Sequence, residues 1–482
     1  MHKSVFPLSL ALLTVNASDA QQQAFEQRIV ASDLADPWSI SYGSDGYLWI
    51  TESKTYRVCR IDPESGSMTT VLDLTDKRLF PRHDTLDTGG KPWPQGGLMG
   101  LALHPDFSSG KPFVYLAYVY KFEEAGNEGN GCLPDFGGCL FKTKVVRYRY
   151  EDHSKQLVNE EVIDDDIPGS NDHNGGRLII MPAKGNHYLF YAVGDLGAGQ
   201  YDNAGRPNFA QDPGTKEGKI LRYLADADDS RQGPGAWIPD DNPFNADTLS
   251  PVYSIGHRNA QGLAWGNVNG ATYLYASEHG PFSDDEINRI EPGKNYGHPL
   301  IIGYADGNYN GLAAGVSPHS HLPGPWNTSY PLIVSEQDAA AQLGEAYRDP
   351  IYSFMPSDNE YLLDKMKQIR ASESPEWPSV APSGLAFYHH EGKPEWKNSL
   401  LLTTLKAGAL YRIPLRPDGE GLASEPEKLI EANVRYRDIC IAPDGMKLFV
   451  ITDKSAVTSG PTEEKPDESN MRGCIIEYRL VR

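Results

Sequence analysis

Residues 97–119 read GLMGLALHPDFSSGKPFVYLAYV. Two apolar runs of strand-favouring residues flank a turn rich in Pro, Asp, Ser and Gly, the pattern of a β-hairpin. The same pattern occurs at PWSISYGSDGYLWITE (37–52), GGRLIIMPAKGNHYLFYAVGD (175–195), QGLAWGNVNGATYLYASEHG (261–280), PSGLAFYHHEGKPEWKNSLLLTTL (382–405) and RDICIAPDGMKLFVITD (437–453). In each, the second strand ends near a polar or acidic residue. Third-strand candidates follow several of these hairpins, among them RVCRIDP, TKVVRYRYE, GKILRYLAD and ALYRIPLR, most with alternating basic residues as an outer strand would carry.

Repeats of three or four strands are the signature of propeller blades. Six copies imply an all-β, six-bladed β-propeller with long loops, favoured over a β-sandwich or a pair of β domains. Copies start roughly 55 to 120 residues apart, so long loops are inserted between blades, and loops of that length are usually functional.

The bulk numbers agree with a large globular domain. The chain has 482 residues, 39% hydrophobic, with 47 Gly, 36 Pro and 26 Tyr. A net charge of −21, from 44 basic against 65 acidic residues, argues against nucleic-acid binding. His2 and Lys3, the apolar stretch Val5–Val15 and small residues at Ala17, Ser18 and Ala20 read as a signal peptide over residues 1–20. Residues 21–482 then form one exported propeller, periplasmic or secreted, with no membrane span. Of five cysteines, Cys132 and Cys139 flank a Gly-rich loop where a local disulfide is expected in an exported protein.

In a propeller the inner strands converge on a central channel, and loops at one end form the site. The densest polar stretch is GHRNAQG, with His257, Arg258, Asn259 and Gln261 just before an apolar strand. The partner strand runs into SEHGPFSDDEINRI, where Gly280, Pro281, Asp284, Asp285 and Glu286 offer hard oxygen ligands suited to calcium. Asp172 and His173 precede the third hairpin and Asp195 ends it, so closure brings imidazole and carboxylate together as a general base. Arg435 and Arg437 share a face of one strand, and Lys406 ends another. Such cations in an acidic chain suggest a ligand bearing several carboxylates, although pairing with Asp438 and other acidic surface residues is the plainer use for them. No dinucleotide fingerprint, phosphate loop or nucleophile elbow stands in the sequence.

On ITESKTYRVCRIDPESG, GLMGLALHPDF, NDHNGGRL, IGHRNAQGLA, GPFSDDEIN, NYGHP, WPSVAPS and RYRDICIAPDG, in that order, the chain resembles the glucose/sorbosone dehydrogenase family. Its soluble members oxidise sugars with pyrroloquinoline quinone (PQQ) and calcium on a six-bladed propeller. The resemblance implies that His173 is the general base, Asp195 its supporting carboxylate and Arg258 the cation stabilising charge on the quinone. It implies PQQ contacts at Arg258, Asn259, His279, Ser379, Lys406, Arg435 and Arg437, and sugar contacts at Gln95, Asp172, Gln200 and Trp377. Calcium ligands are implied at the carbonyls of Gly280 and Pro281, and in a second region at Glu286, Tyr296, Ile302, Asp306 and Glu336, where the family forms a dimer.

Three departures stand out. His279 occupies a family Gln position, which implies an altered pH dependence. Ser379 occupies a Thr position, and the segment from Gly311 to Glu376 diverges. The expected activity is oxidation of glucose and related aldoses to the lactone, with electrons passed to an external acceptor. Competing readings are a broad aldose or sorbosone dehydrogenase, a calcium-dependent propeller lactonase, and a non-catalytic binding propeller. A lactonase has no use for Lys406, Arg435 and Arg437, and a binding module has none for a His173–Asp195 pair.

Overall fold

The computed structural model describes residues 25–78, 96–120, 130–133, 138–170, 172–200, 203–454, 461 and 471–481. They form a six-bladed β-propeller whose six sheets each hold four strands in sequence-neighbour order, one with a short extra strand. The hairpins read from sequence are the two inner strands of each blade: Pro37–Tyr42 with Leu48–Glu52, Leu98–Leu103 with Phe113–Tyr120, Leu178–Ala183 with Asn186–Val193, Ala260–Val268 with Ala271–Glu278, Pro382–Tyr388 with Ser399–Thr404, and Tyr436–Ile441 with Lys447–Thr452. The basic third-strand candidates lie in Arg57–Ile61, Gly138–Glu151, Lys219–Leu224 and Ala409–Pro414.

Period-2 alternation gives each sheet two faces, and here both are covered by neighbouring blades. One apolar cluster fills each of the six blade junctions. Trp49, Tyr118 and Tyr148 pack between blades 1 and 2, and Leu189, Tyr191 and Leu221 between blades 2 and 3. Each fully buried side chain of this size contributes about 1.5–3 kcal/mol. Near the axis the inner strands crowd, which explains two glycines of the repeat. A Cβ on Gly100 would stand 2.4 Å from the Gly176 carbonyl oxygen, and one on Gly262 2.2 Å from that of Ser383.

The ring closes through a strand the sequence pattern did not reveal. Phe25–Ala31 is the outermost strand of blade 6, antiparallel to Ile475–Leu480, with Phe25 opposite Leu480. Its residues are mostly exposed or half-buried, so it carries little alternation to read. Blade 4 holds the largest excursion: after Asp285–Ile290 the chain leaves the sheet and returns only for Tyr352–Phe354. The excursion carries a helix, Glu336–Leu343, and a second, Asn359–Arg370, follows the returning strand. It has its own core of Phe282, Tyr309, Trp326, Tyr330, Leu362 and Met366.

No helix among the described residues is long and apolar enough to cross a membrane. The signal-peptide reading of residues 1–20 and the sugar contact Gln95 lie outside the described residues, as do the side chains of Cys132 and Cys139.

Candidate active site

The first and second strands of a blade are antiparallel, so the start of one and the end of the other share a rim. Ala260 faces Glu278, Pro382 faces Thr404 and Tyr436 faces Thr452. The segments around 172–177, 195–200, 257–259, 278–281, 377–382, 404–406 and 435–437 therefore gather at one end of the channel. Bonds between blades tie them together. Gly175 N donates to Asn259 Oδ1 at 3.2 Å, Asp195 N to the Arg258 carbonyl at 2.7 Å and Ser383 Oγ to the Arg437 carbonyl at 2.7 Å.

His173 Nδ1 lies 2.7 Å from Asp195 Oδ1. Its Nε2 has no hydrogen-bond partner among the described residues, the Asp172 carboxylate standing 3.9 Å away. The His173 side chain is 8% exposed and the Asp195 side chain wholly buried. Asp195 Oδ1 also accepts from Gly197 N at 2.9 Å. Its Oδ2 accepts from Tyr330 OH at 2.6 Å, His298 Nε2 at 2.9 Å and Asn208 Nδ2 at 3.1 Å. Burial works against the Asp195 charge, but the two imidazoles override it and hold its pKa below the carboxylate range. The pair is an imidazole fixed in orientation, with the ring nitrogen away from Asp195 left to take a proton.

Arg258 Nη2 donates to Gln200 Oε1 at 2.9 Å and Nη1 to the His279 carbonyl at 3.1 Å, while Nε is buried without a partner. Among the described residues neither Arg258 nor Lys406 forms an ion pair with a carboxylate. Glu278 underlies this segment, accepting the backbone amides of Arg258 and of Asn259, the latter at 3.0 Å, and pairing with His257 Nδ1 at 3.0 Å. His279 Nε2 sits 2.7 Å from the Pro382 carbonyl. Burial first, then the Arg258 charge, push its pKa well below the usual imidazole value.

Asp285 joins blades 4 and 5 at the rim. It accepts from Gly280 N at 3.0 Å, Ser379 Oγ at 2.7 Å, Val380 N at 2.7 Å and Ala381 N at 3.0 Å. The acidic run 284–286 is thus buried rather than a solvated turn. Lys406 Nζ donates to the Trp377 carbonyl at 2.7 Å, and the Trp377 ring meets Phe282 edge-on at 5.8 Å.

Arg435 and Arg437 do not pair with Asp438. Both take Asp453, through Arg435 Nε at 3.2 Å and Arg437 Nε and Nη2 at 2.8 and 2.7 Å. Arg437 Nη1 also reaches Gln261 Oε1 at 2.7 Å. Asp438 instead binds Arg177, a buried guanidinium that also donates to the Gln261 carbonyl at 2.8 Å and lies 4.4 Å above the Trp38 ring.

The residues expected to hold calcium fall in two places. The carbonyls of Gly280 and Pro281 sit at the rim and accept no hydrogen bond from the described residues, so they are open to a hard cation. Glu286 pairs in register with Glu278, one strand further out. It accepts from Gly303 N at 2.9 Å, and Glu336 accepts from the adjacent Ile302 N at 2.9 Å. Burial, then the Glu278 charge, raise the Glu286 pKa well above normal, and burial raises that of Glu336 to about 7. Buried carboxylates without a cation on neighbouring amides fit an oxygen-ligated metal. Asp306 is exposed nearby. The Tyr296 hydroxyl is spent on the Arg289 carbonyl at 2.6 Å, leaving its carbonyl as the available ligand.

Among the described residues, a three-member His/Asp/Glu/Cys group with ligand atoms within 4.8 Å of one another occurs elsewhere, at His104, Asp106 and His187 on the opposite rim. There His104 Nδ1 accepts the Asp106 amide at 3.0 Å, and neighbouring Asp226 is held by Lys111 at 2.6 Å. It is a polar contact between blades.

Sequence reasoning missed Tyr330, His298, Asn208, Glu278 and Asp453. Glu278 and Asp453 had a signal, since each is an acid at the end of a second strand, as Asp195 is. Tyr330 had none, because it arrives from the divergent excursion.

The rim thus joins an imidazole–carboxylate pair to two cations that have no carboxylate partner among the described residues. The chain belongs to the glucose/sorbosone dehydrogenase family, whose model matches residues 34–332 and 352–458. It is 31% identical to quinoprotein glucose dehydrogenase B of Acinetobacter calcoaceticus, over 95% of this chain and 92% of that protein. It is 29% identical to the aldose sugar dehydrogenase YliI of Escherichia coli K12, over 75% and 76% of the two. The PQQ-bound aldose sugar dehydrogenase of Streptomyces coelicolor shares the fold, with a TM-score of 0.60 at 24% identity over 95% of this chain and 98% of that one.

Proposed function

We propose that the protein is a PQQ- and calcium-dependent dehydrogenase that oxidises glucose and related aldoses at the anomeric carbon to the lactone, passing electrons to an external acceptor. The observation that carries this reading is the His173–Asp195 pair, 2.7 Å apart, with Arg258 next to it on the same rim. The donor set fits PQQ. Among the described residues, Arg258 and Lys406 have no carboxylate partner, and Arg258 Nε is a buried donor with nothing to bind. Arg435 and Arg437 both bind the carboxylate of Asp453, which orients the two guanidiniums at the rim. Lys406, Arg435 and Arg437 would hold the carboxylates of the quinone, with Arg258, Asn259 and Ser379 beside them and the carbonyls of Gly280 and Pro281 turned to calcium.

When bound, PQQ supplies the hydride acceptor and calcium the polarising charge. The protein's own work is at the sugar. His173 Nε2 takes the proton of the anomeric hydroxyl, and Asp195 stabilises the imidazolium that forms. Arg258, fixed by Gln200 and the His279 carbonyl, places a positive charge where negative charge develops. Asp172, Gln200 and Trp377 orient the sugar, with Gln95 as the remaining expected contact. Export through residues 1–20, a second calcium region at Glu286, Tyr296, Ile302, Asp306 and Glu336, and a homodimer belong to the same reading.

The test adds PQQ and calcium to purified apoprotein and follows dye reduction across a panel of aldoses. Reduction that depends on all three components supports the assignment. Saturating PQQ binding with no turnover of any aldose would refute it.

A further inference from the structure

Tyr330 belongs to the blade 4 excursion, yet its hydroxyl reaches Asp195 of blade 3 at 2.6 Å. The ring occupies a slot between two glycines: a Cβ on Gly199 would stand 2.3 Å from it and one on Gly315 2.7 Å. Either side chain would evict the ring. The excursion is stitched down beside it. Thr328 Oγ1 donates to the Gly199 carbonyl at 2.6 Å, and Ser329 N to the Ala204 carbonyl at 2.9 Å. His298 meets the ring edge-on, with centroids 5.6 Å apart at 85°. Burial and the Asp195 charge keep the phenol protonated, so it is always the donor.

A carboxylate shares its charge among the donors it accepts. On Asp195, Oδ1 serves His173 and Gly197 N, while Oδ2 serves Tyr330, His298 and Asn208. Each donor on Oδ2 withdraws charge that would otherwise stabilise a protonated His173. We infer that Tyr330 is a positioning residue that lowers the basicity of His173 through Asp195. This rests on His173 being the base of the proposed reaction. Among the described residues, Asp172, Arg258 and His279 also stand near His173, and His298 shares Asp195 with it; all of them remain when Tyr330 is changed.

Tyr330→Phe removes one O–H and keeps the ring in its slot. The His173 pKa, read from the imidazole ¹⁵N resonances of the full-length protein without PQQ, should rise by about half to one unit. The acidic limb of kcat/KM of the reconstituted enzyme should move up with it. Asn208→Ala, which removes another Oδ2 donor, should shift the same resonances in the same direction. A merely structural tyrosine would lower kcat and leave both titrations where they were. His173 resonances unmoved in both variants overturn the inference. Resonances that move while the kinetic limb stays fixed uphold the role of Tyr330 and remove His173 as the base, which separates this inference from the reading beneath it.

Discussion

Asp195→Asn is the sharpest test of the His173–Asp195 pair, because the structure dictates what an amide meets there. With its oxygen toward His173 Nδ1 and Gly197 N, its NH2 faces Tyr330, His298 and Asn208, all donors to the native carboxylate. The tyrosine hydroxyl can turn and His298 can change tautomer, but Asn208 must flip. The reverse orientation sets NH2 against His173 Nδ1 and forces its proton onto Nε2, which removes the base. Even in the better orientation, the imidazolium formed on proton transfer loses a charge-assisted bond, worth about 1.5–3 kcal/mol against about 1 for a neutral one. One or two kcal/mol corresponds to roughly a fivefold to thirtyfold loss, and loss of the net charge adds to it. General-base catalysis as a whole is worth about 10²–10⁴. We therefore expect kcat to fall about a hundredfold at neutral pH. Without the carboxylate the His173 pKa drops, so the acidic limb of kcat/KM should move down by about one unit, opposite to Tyr330→Phe. The assay is steady-state dye reduction with glucose across pH, with PQQ binding followed by absorbance to show an intact site. A variant that turns over within about threefold of the parent, with its acidic limb unmoved, would refute the pairing as the basis of catalysis.

Arg177→Met should leave the Asp438 carboxylate buried with the Ile40 amide at 2.9 Å as its remaining donor from another strand, costing about 3–5 kcal/mol and lowering Tm by about 3–5 °C for a chain of this size. Thermal scans of this variant beside Arg177→Met/Asp438→Leu should show recovery in the double variant; equal loss in both would mean that the ion pair is not the cause. Lys219, wholly buried, donates to the carbonyls of Phe209, Ala210 and Glu217, and burial lowers its pKa to about 7 from 10.5. Between those values the unfolded chain binds the extra proton, so this residue should make stability rise with pH from about 7 to 9, by up to about 1.4 kcal/mol per unit. Denaturant titrations should show Lys219→Met losing that slope, and an unchanged slope would count against the lowered pKa.

The propeller was legible because its signal is local and repeated: six hairpins, each with apolar strands around turn residues. Closure was not, since Phe25–Ala31 is an edge strand that presents little apolar pattern. At the site, His173, Asp195, Arg258 and the 280–286 run could be read because each sits at a strand end whose position the hairpin fixes. Asp438 was weighed as an alternative partner of the arginines because it adjoins Arg437 in sequence. In a strand, however, neighbouring side chains point to opposite faces, which sends Asp438 to Arg177 and leaves the arginines to Asp453 across the hairpin. Tyr330 was beyond reach, because its place depends on a long excursion folding back over another blade.

One device recurs in four blades and links fold to chemistry. An acid at the end of the second strand receives donors from the segment entering the first strand of the same blade. Glu52 accepts the Ala35 amide at 2.8 Å, Glu278 the amides of Arg258 and Asn259, and Asp453 the guanidiniums of Arg435 and Arg437. In blade 3 the acid is Asp195 and the donor is the side chain of His173. In blades 1 and 4 the latch holds backbone and fixes the loop. In blade 6 it orients cations that the proposed cofactor would use, and in blade 3 it carries a group that can lose and regain a proton. The proposed catalytic pair thus needs no dedicated scaffold: it is the blade's own latch with an imidazole in the donor position, and the Tyr330 and His298 donors from the excursion are added to a carboxylate the blade already holds.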